Sequence, residues 1–263
     1  TITRRYTEEA VKFSKAKKDQ PFFLYLPHSM PHVPLFRSES FAGASRRGLF
    51  GDVIEEIDWS VGQVLDTLRE QQLDKNTLVM FTSDNGPWLI FDDHGGSAGL
   101  LRDGKGSTWE GGMREPTLAW WPGKIAAGSV GREVASTMDV FATVHSLAGM
   151  ELPTDRVLDS HDLSPLLFEN RPTSRQALFY YRAYELMAVR VGPWKAHYQT
   201  QDAYGPNSRQ AVKHDPPILY NLEVDPSERQ NIAARHPGVL KEIAAIVAEH
   251  QANLKPAPSQ LEL

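Results

Sequence analysis

Val53, Ile57, Val61, Val64 and Leu68 recur at intervals of four, four, three and four residues, with polar residues between them. That spacing predicts a helix of about five turns with one apolar face, following the 3.6-residue period. Ahead of it, Thr7 with Glu8 and Glu9 reads as a capped helix start, and Lys17-Lys18-Asp19-Gln20-Pro21 as the stop. Phe22-Phe23-Leu24-Tyr25-Leu26 is an unbroken apolar run between Pro21 and Pro27, the pattern of a central strand buried on both faces. Residues 77–82 form the next such run. Strand, crossover helix and strand predict a parallel pair with a right-handed connection. Both carboxyl ends then lie on one sheet edge, which brings the loop holding His28 and His32 near Asp84 and Asn85.

Farther on, residues 116–123 read as a short strand closed by Pro122-Gly123. Met138, Phe141, Val144 and Leu147 mark a helix with Ser136 or Thr137 as cap and Gly149 as stop. Beyond Pro165-Leu166-Leu167 the texture changes to close-spaced β-like runs at residues 177–181, 186–190, 194–198 and 218–222. They predict a small antiparallel sheet, followed by a helix over residues 237–253 with Val239, Leu240, Ile243, Ile246 and Val247 on its apolar face. Residues 201–215 are polar and read as a long loop. The whole is an α/β chain with two parts. Residues 1–170 carry a mixed, largely parallel sheet flanked by helices, and residues 171–263 a smaller antiparallel sheet with its packing helix.

Length and composition narrow the function. A chain of 263 residues can bury a sizeable core, and its longest apolar runs fall far short of a membrane span. The net charge of -5 provides no basic footprint for nucleic acid. With no cysteine, the chemistry is left to oxygen ligands, histidine and lysine. The first residues lead straight into a helical pattern without an apolar leader, so the chain reads as a mature piece or a fragment.

Three segments can carry that chemistry. Asp84-Asn85-Gly86 ends an apolar strand and offers a carboxylate and an amide carbonyl, hard ligands suited to Ca²⁺ or Mg²⁺, although the same triplet is also a common turn. Lys105 lies between Gly104 and Gly106, where close backbone approach could set an ammonium against a tetrahedral oxyanion; most such lysines are simply solvated. A phosphate-binding loop is excluded by the spacing of the glycines. His32, in Pro31-His32-Val33-Pro34, sits in a proline-stiffened loop and can exchange a proton near neutrality, while His28 reads as a surface residue. His197 either borders a substrate pocket or is an ordinary strand histidine. Arg114 and Glu115 read as an ion pair fixing the glycine-rich run, and Trp120 and Trp121 as core or interface residues.

With these residues placed, the chain resembles the sulfatase family, within it the arylsulfatase A and N-acetylgalactosamine-6-sulfatase branches. The likeness rests on residues 21–25 with Pro31-His32-Val33-Pro34, on Phe81-Thr82-Ser83-Asp84-Asn85-Gly86, and above all on residues 99–116. Residues 119–123, 179–182 and Trp194-Lys195-Ala196-His197 extend it. The resemblance implies an alkaline-phosphatase-like fold and a sulfuric ester hydrolase acting on aryl sulfates or sulfated sugars. It implies that Asp84 and Asn85 coordinate a Ca²⁺, and that Lys105 and His32 contact sulfate or leaving-group oxygens. A periplasmic, secreted or lysosomal setting and a small sulfated substrate come with it; it leaves self-association open.

The family's nucleophile, a formylglycine made within Cys/Ser-x-Pro-x-Arg, has no counterpart here, and the early paired aspartates of the metal site are missing too. The expectation is therefore a carboxyl-terminal portion that does not turn over alone. Two other readings stand beside it. One is a phosphodiesterase or phosphonate hydrolase of the alkaline-phosphatase-like group. The other is a non-catalytic module binding sulfated glycans through Lys105, His32 and the surroundings of His197.

Overall fold

The computed structural model describes residues 2–206, 208 and 210–255. The chain opens with helix α1 (Ile2–Ala16), which packs on the 23-residue helix α2 (Gly48–Glu70). The contact face of α1 is made of small side chains, Thr3, Thr7, Ala10 and Ser14, spaced four, three and four apart so that the backbones come close. Thr7 lies inside the helix and does not cap it. Its hydroxyl donates to the Thr3 carbonyl at 2.8 Å and meets Ser60 Oγ at 2.6 Å, so a residue read as a cap serves as a buried contact between helices.

The periodic face of α2 is buried as expected at Val53, Ile57 and Leu68. Asp52 and Glu56 are buried beside it, because the loop ahead of the helix brings them donors. Asp52 accepts the backbone N–H groups of Gly43 and Ser45, and Glu56 that of Ser38. Those two bonds and Arg37 hold the Asp52 carboxyl below its ordinary pKa, against a smaller opposing effect of burial.

Strand β1 (Val79–Thr82) pairs with β2 (Thr117–Trp120) in antiparallel sense, in register from Val79 opposite Trp120 to Thr82 opposite Thr117. Between them lie a short 3-10 segment (Leu89–His94) and α3 (Glu110–Met113), a single turn, so no crossover helix carries the chain back to start a parallel neighbour. The expected parallel pair of residues 22–26 with 77–82 is not formed among the described residues. Residues 22–26 make no ladder, and their side chains alternate between half-buried and exposed, with Phe23 and Tyr25 outward.

Helix α4 (Asp139–Leu147) also departs from its pattern. Met138, Phe141 and Leu147 are exposed, whereas Asp139, Ala142 and Thr143 are buried. That face is chosen by hydrogen bonds to the next segment: Ala142 N–H donates to Ser160 Oγ, Leu163 N–H to Thr143 Oγ1, and His161 N–H to Asp139. Gly149 ends the helix at φ +66° as expected. Helix α5 (Ser164–Glu169) follows.

The second part matches its sequence pattern closely. Strands β3 (Leu178–Arg182), β4 (Glu185–Val191), β5 (Trp194–Thr200) and β6 (Val212–Asn221) form an antiparallel sheet in that order. The predicted loop over 201–215 is shorter than expected, because residues 212–215 belong to β6. Helix α6 (Pro237–Asn253) covers one face, packing Ile243 and Val247 on Leu186, Val189, Ala196 and Leu219. Alternation along β5 then sends Lys195 and His197 to the opposite face, where the glycine-rich segment of the first part covers them. The sheet is thus sandwiched, and its second cover carries the candidate site.

Candidate functional site

Beyond β1 the chain turns at Asp84-Asn85-Gly86 and runs against the glycine-rich segment in backbone contact. Gly86 N–H donates to the Gly112 carbonyl at 3.2 Å, and a Cβ built on Gly86 would stand 1.9 Å from the Gly111 carbonyl oxygen. No residue but glycine allows that approach. Lys105 N–H donates to the Pro87 carbonyl at 2.9 Å, so the Asp84-Asn85-Gly86 turn and the lysine loop form one unit.

Trp88 gathers the polar groups. The Lys105 ammonium lies 4.8 Å from the indole centroid, and the His32 ring packs on the same indole at 5.7 Å. Phe91 meets it edge-on at 4.9 Å. The His32 Nδ1 atom is 2.7 Å from the Val33 carbonyl, which can only accept; Nδ1 therefore carries the hydrogen and Nε2 is the nitrogen left to exchange a proton. His32 and Lys105 thus share one indole, and that indole belongs to Trp88, three residues after Asn85 in the chain.

His28 has no part in this cluster; it packs near Tyr6, meets Ser60, and burial lowers its pKa.

Glu115 faces the same turn. It does not pair with Arg114, whose guanidinium binds Glu110 at 2.6 Å instead. Glu115 Oε1 is buried without a hydrogen-bond partner, and burial together with the nearby Asp84 charge pushes its pKa up to about 7. Two carboxylates that repel each other around an unpaired oxygen fit a divalent cation bound by Asp84 and Asn85. Among the described residues no three histidine, aspartate or glutamate side chains gather into a full cage.

A pH prediction follows from Glu115. Its folded pKa exceeds the ordinary 4.5, so the folded state holds the proton longer and loses stability as pH rises from about 4.5 to 7. Glu115→Gln removes that ionisation. The variant's melting temperature is expected to gain on that of the unaltered protein between pH 4.5 and pH 8 and to exceed it at pH 8; pH profiles of the same shape for the two proteins would refute it.

His197 does not border a pocket. It is fully buried, its ring 4.3 Å from that of Trp109, and Nε2 lies 2.6 Å from Glu228 Oε1. Burial outweighs the carboxylate and lowers its pKa to about 4. The imidazole is therefore neutral at pH 7 and donates Nε2–H to Glu228, while Lys195 supplies the positive charge. Lys195 Nζ is 2.8 Å from Glu110 Oε1 and 3.3 Å from Glu228 Oε1, with all three side chains buried. Glu228 Oε2 also accepts the Glu110 N–H at 2.6 Å, tying α3 to the second part.

Sequence reasoning missed Trp88, Glu110 and Glu228. Trp88 follows Asn85-Gly86-Pro87 directly and could have been noticed as an aromatic beside two hard ligands. Glu228, in the polar stretch Asp225-Pro226-Ser227-Glu228, carries no signal of burial.

The model of the family described as Sulfatase matches residues 1–150, and that of the C-terminal region of aryl-sulfatase matches residues 173–263. N-acetylgalactosamine-6-sulfatase of Canis lupus familiaris is 40% identical over 286 residues, covering 100% of this chain and 55% of that protein. Steryl-sulfatase of Rattus norvegicus is 40% identical over 291 residues, covering 100% of this chain and 50% of that protein. The crystal structure of PsFucS1 sulfatase from Pseudoalteromonas sp. superposes with a TM-score of 0.88 at 29% identity, over 94% of this chain and 52% of that one. This chain spans about half the length of the curated relatives it matches. Its architecture is the alkaline-phosphatase-like one of solved sulfatases. By the match over residues 1–150 and the further match over residues 173–263, the chain belongs to the sulfatase family.

Proposed function

We propose that this chain is the later part of a sulfuric ester hydrolase acting on aryl sulfates or sulfated sugars, and that its His32, Asp84, Asn85 and Lys105 form one wall of the active site. The observation that carries the reading is the convergence of His32 and Lys105 on Trp88, beside the Asp84-Asn85 turn. Asp84 and Asn85 would hold one Ca²⁺, which when bound neutralises negative charge on sulfate oxygens. Lys105 places an ammonium where the sulfuryl oxygens gather charge. His32, with Nδ1 held by the Val33 carbonyl, presents Nε2 to lend a proton to the departing oxygen. Formylglycine, the family's nucleophile, belongs to sequence outside this chain, which is why the chain alone is expected not to turn over.

The sulfatase reading carries with it a periplasmic, secreted or lysosomal setting and a small sulfated substrate. Among the described residues no helix is long and apolar enough to cross a membrane.

Assay of the intact protein and of this chain against 4-nitrophenyl sulfate, with and without Ca²⁺, tests the reading. Calcium-dependent hydrolysis by the intact protein and none by the chain is expected. Robust hydrolysis by the chain alone would contradict the division of the site. Cleavage of a phosphate diester or phosphonate ester in place of the sulfate would favour the phosphoryl-transfer alternative, and tight sulfated-sugar binding without turnover by the intact protein the non-catalytic one.

A further inference from the structure

The loop that carries Lys105 is held from the second part of the chain on both sides of the lysine. Asp103 Oδ2 accepts the Ala203 N–H at 2.9 Å, and the Lys105 carbonyl accepts the Tyr204 N–H at 2.9 Å. The Arg182 guanidinium, at the end of β3, donates to the Gly106 carbonyl at 2.7 Å and stacks 4.9 Å from the Tyr204 ring centroid. Tyr204 in turn accepts the Trp88 indole N–H through its carbonyl at 3.2 Å. Gly106 has φ +91°, and a Cβ there would stand 2.5 Å from the Tyr204 ring, so the ring lies flush on the glycine.

Three loop residues, 103, 105 and 106, and the indole under the lysine are thus fixed by residues 182, 203 and 204. Among the described residues, the Lys105 ammonium rests on the indole face of Trp88. A lysine has a long flexible stem, so the position of its head follows from where the backbone and the supporting ring are held. The bond from Arg182 is charge-assisted, and its removal leaves the Gly106 carbonyl without that partner.

Resting on the sulfatase reading above, we propose that Arg182 and the strap at residues 203–204 are positioning elements for the reaction: they set Lys105 and Trp88 in place without touching the substrate. This gives the second part of the chain a role in the chemistry although none of its residues contributes a reacting group.

The test uses the intact protein. Arg182→Ala is expected to lower kcat on 4-nitrophenyl sulfate about tenfold or more, the scale on which small misplacements of a catalytic group act. Arg182→Lys should recover part of the loss. In a Lys105→Ala background, Arg182→Ala should cost less than about twofold, because its effect passes through the lysine. Amide hydrogen exchange at Lys105 and Tyr204 should accelerate in Arg182→Ala and in Tyr204→Ala, with exchange in α6 unchanged.

Losses that multiply in the double variant, or unchanged exchange at those two amides, would overturn the proposal. If Arg182→Ala does not fold, Tyr204→Ala takes its place in the same cycle. Should the intact protein hydrolyse no sulfate ester, the functional reading fails by itself and the exchange measurement still decides whether the strap holds the loop.

Discussion

Lys195→Met is expected to remove about 3–5 kcal/mol of stability, the range for breaking a buried ion pair from one side. Lys195 is fully buried on β5, and its ammonium sits between the Glu110 and Glu228 carboxylates at 2.8 and 3.3 Å. Burial by itself would lower the lysine pKa, but the two carboxylates outweigh it and the net shift is upward. Burial likewise would raise Glu110, and Lys195 and Arg114 outweigh it and hold the carboxyl below its ordinary value.

Both shifts say the pair is ionised in the folded state. The stability that Glu110 contributes is present above its unfolded pKa and lost as pH falls; that from Lys195 is present below its unfolded pKa and lost as pH rises past the folded one. His197 adds to the acid-side loss, since the unfolded chain takes up its proton from about pH 6.5 downward and the folded one only near 4. The contribution is therefore full across the neutral range.

Methionine keeps the length of the side chain and removes its charge, leaving two buried carboxylates close together with fewer counter-charges. Arg114 at 2.6 Å and Arg190 at 3.7 Å still serve Glu110, which limits the damage. Against a total stability of about 5–15 kcal/mol the loss is a large share, and at about 2–4 °C per kcal/mol the melting temperature should fall on the order of 10 °C. Urea unfolding at pH 7 measures it directly. A change under about 1 kcal/mol would mean that the network is not a stabilising bridge between the two parts.

Lys105→Ala should act in the opposite way, on rate and hardly on stability. Removing one preorganised donor from a developing oxyanion costs about 10²–10³ in kcat. The folded-state loss is the cation–π contact with Trp88, worth about 0.5–1 kcal/mol toward the solvent-facing end of its range. Lys105→Arg should restore little, because a planar guanidinium cannot occupy the place of a compact ammonium against the same indole. Steady-state kinetics of the intact protein with an aryl sulfate, beside its melting temperature, separates the two effects. A kcat within tenfold of the unaltered protein would remove Lys105 from the reacting centre.

Elements whose pattern is local were legible in the sequence: α2, β3 to β5 and α6 lie where periodicity puts them, whereas β6 begins six residues ahead of its apolar run at 218–222. The sequence also marked His32, Asp84, Asn85 and Lys105, since an apolar strand ending in hard ligands and a lysine between glycines are chemical signals that need no neighbour. Periodicity reports which face of an element is apolar, but not what covers it. Residues 22–26 look fully buried on paper and alternate in space, and the periodic face of α4 is exposed because hydrogen bonds to residues 160–163 hold the other one inward.

The partners of the charged groups were set by contacts distant in the chain. Lys195 meets Glu110 across 85 residues, Glu110 meets Glu228 across 118, and Asp103 meets Ala203 across 100. Such partners are chosen by the closing of the second sheet onto the glycine-rich segment. A strand histidine therefore became a neutral core residue at His197, and a tryptophan with no motif of its own became the surface on which His32 and Lys105 meet.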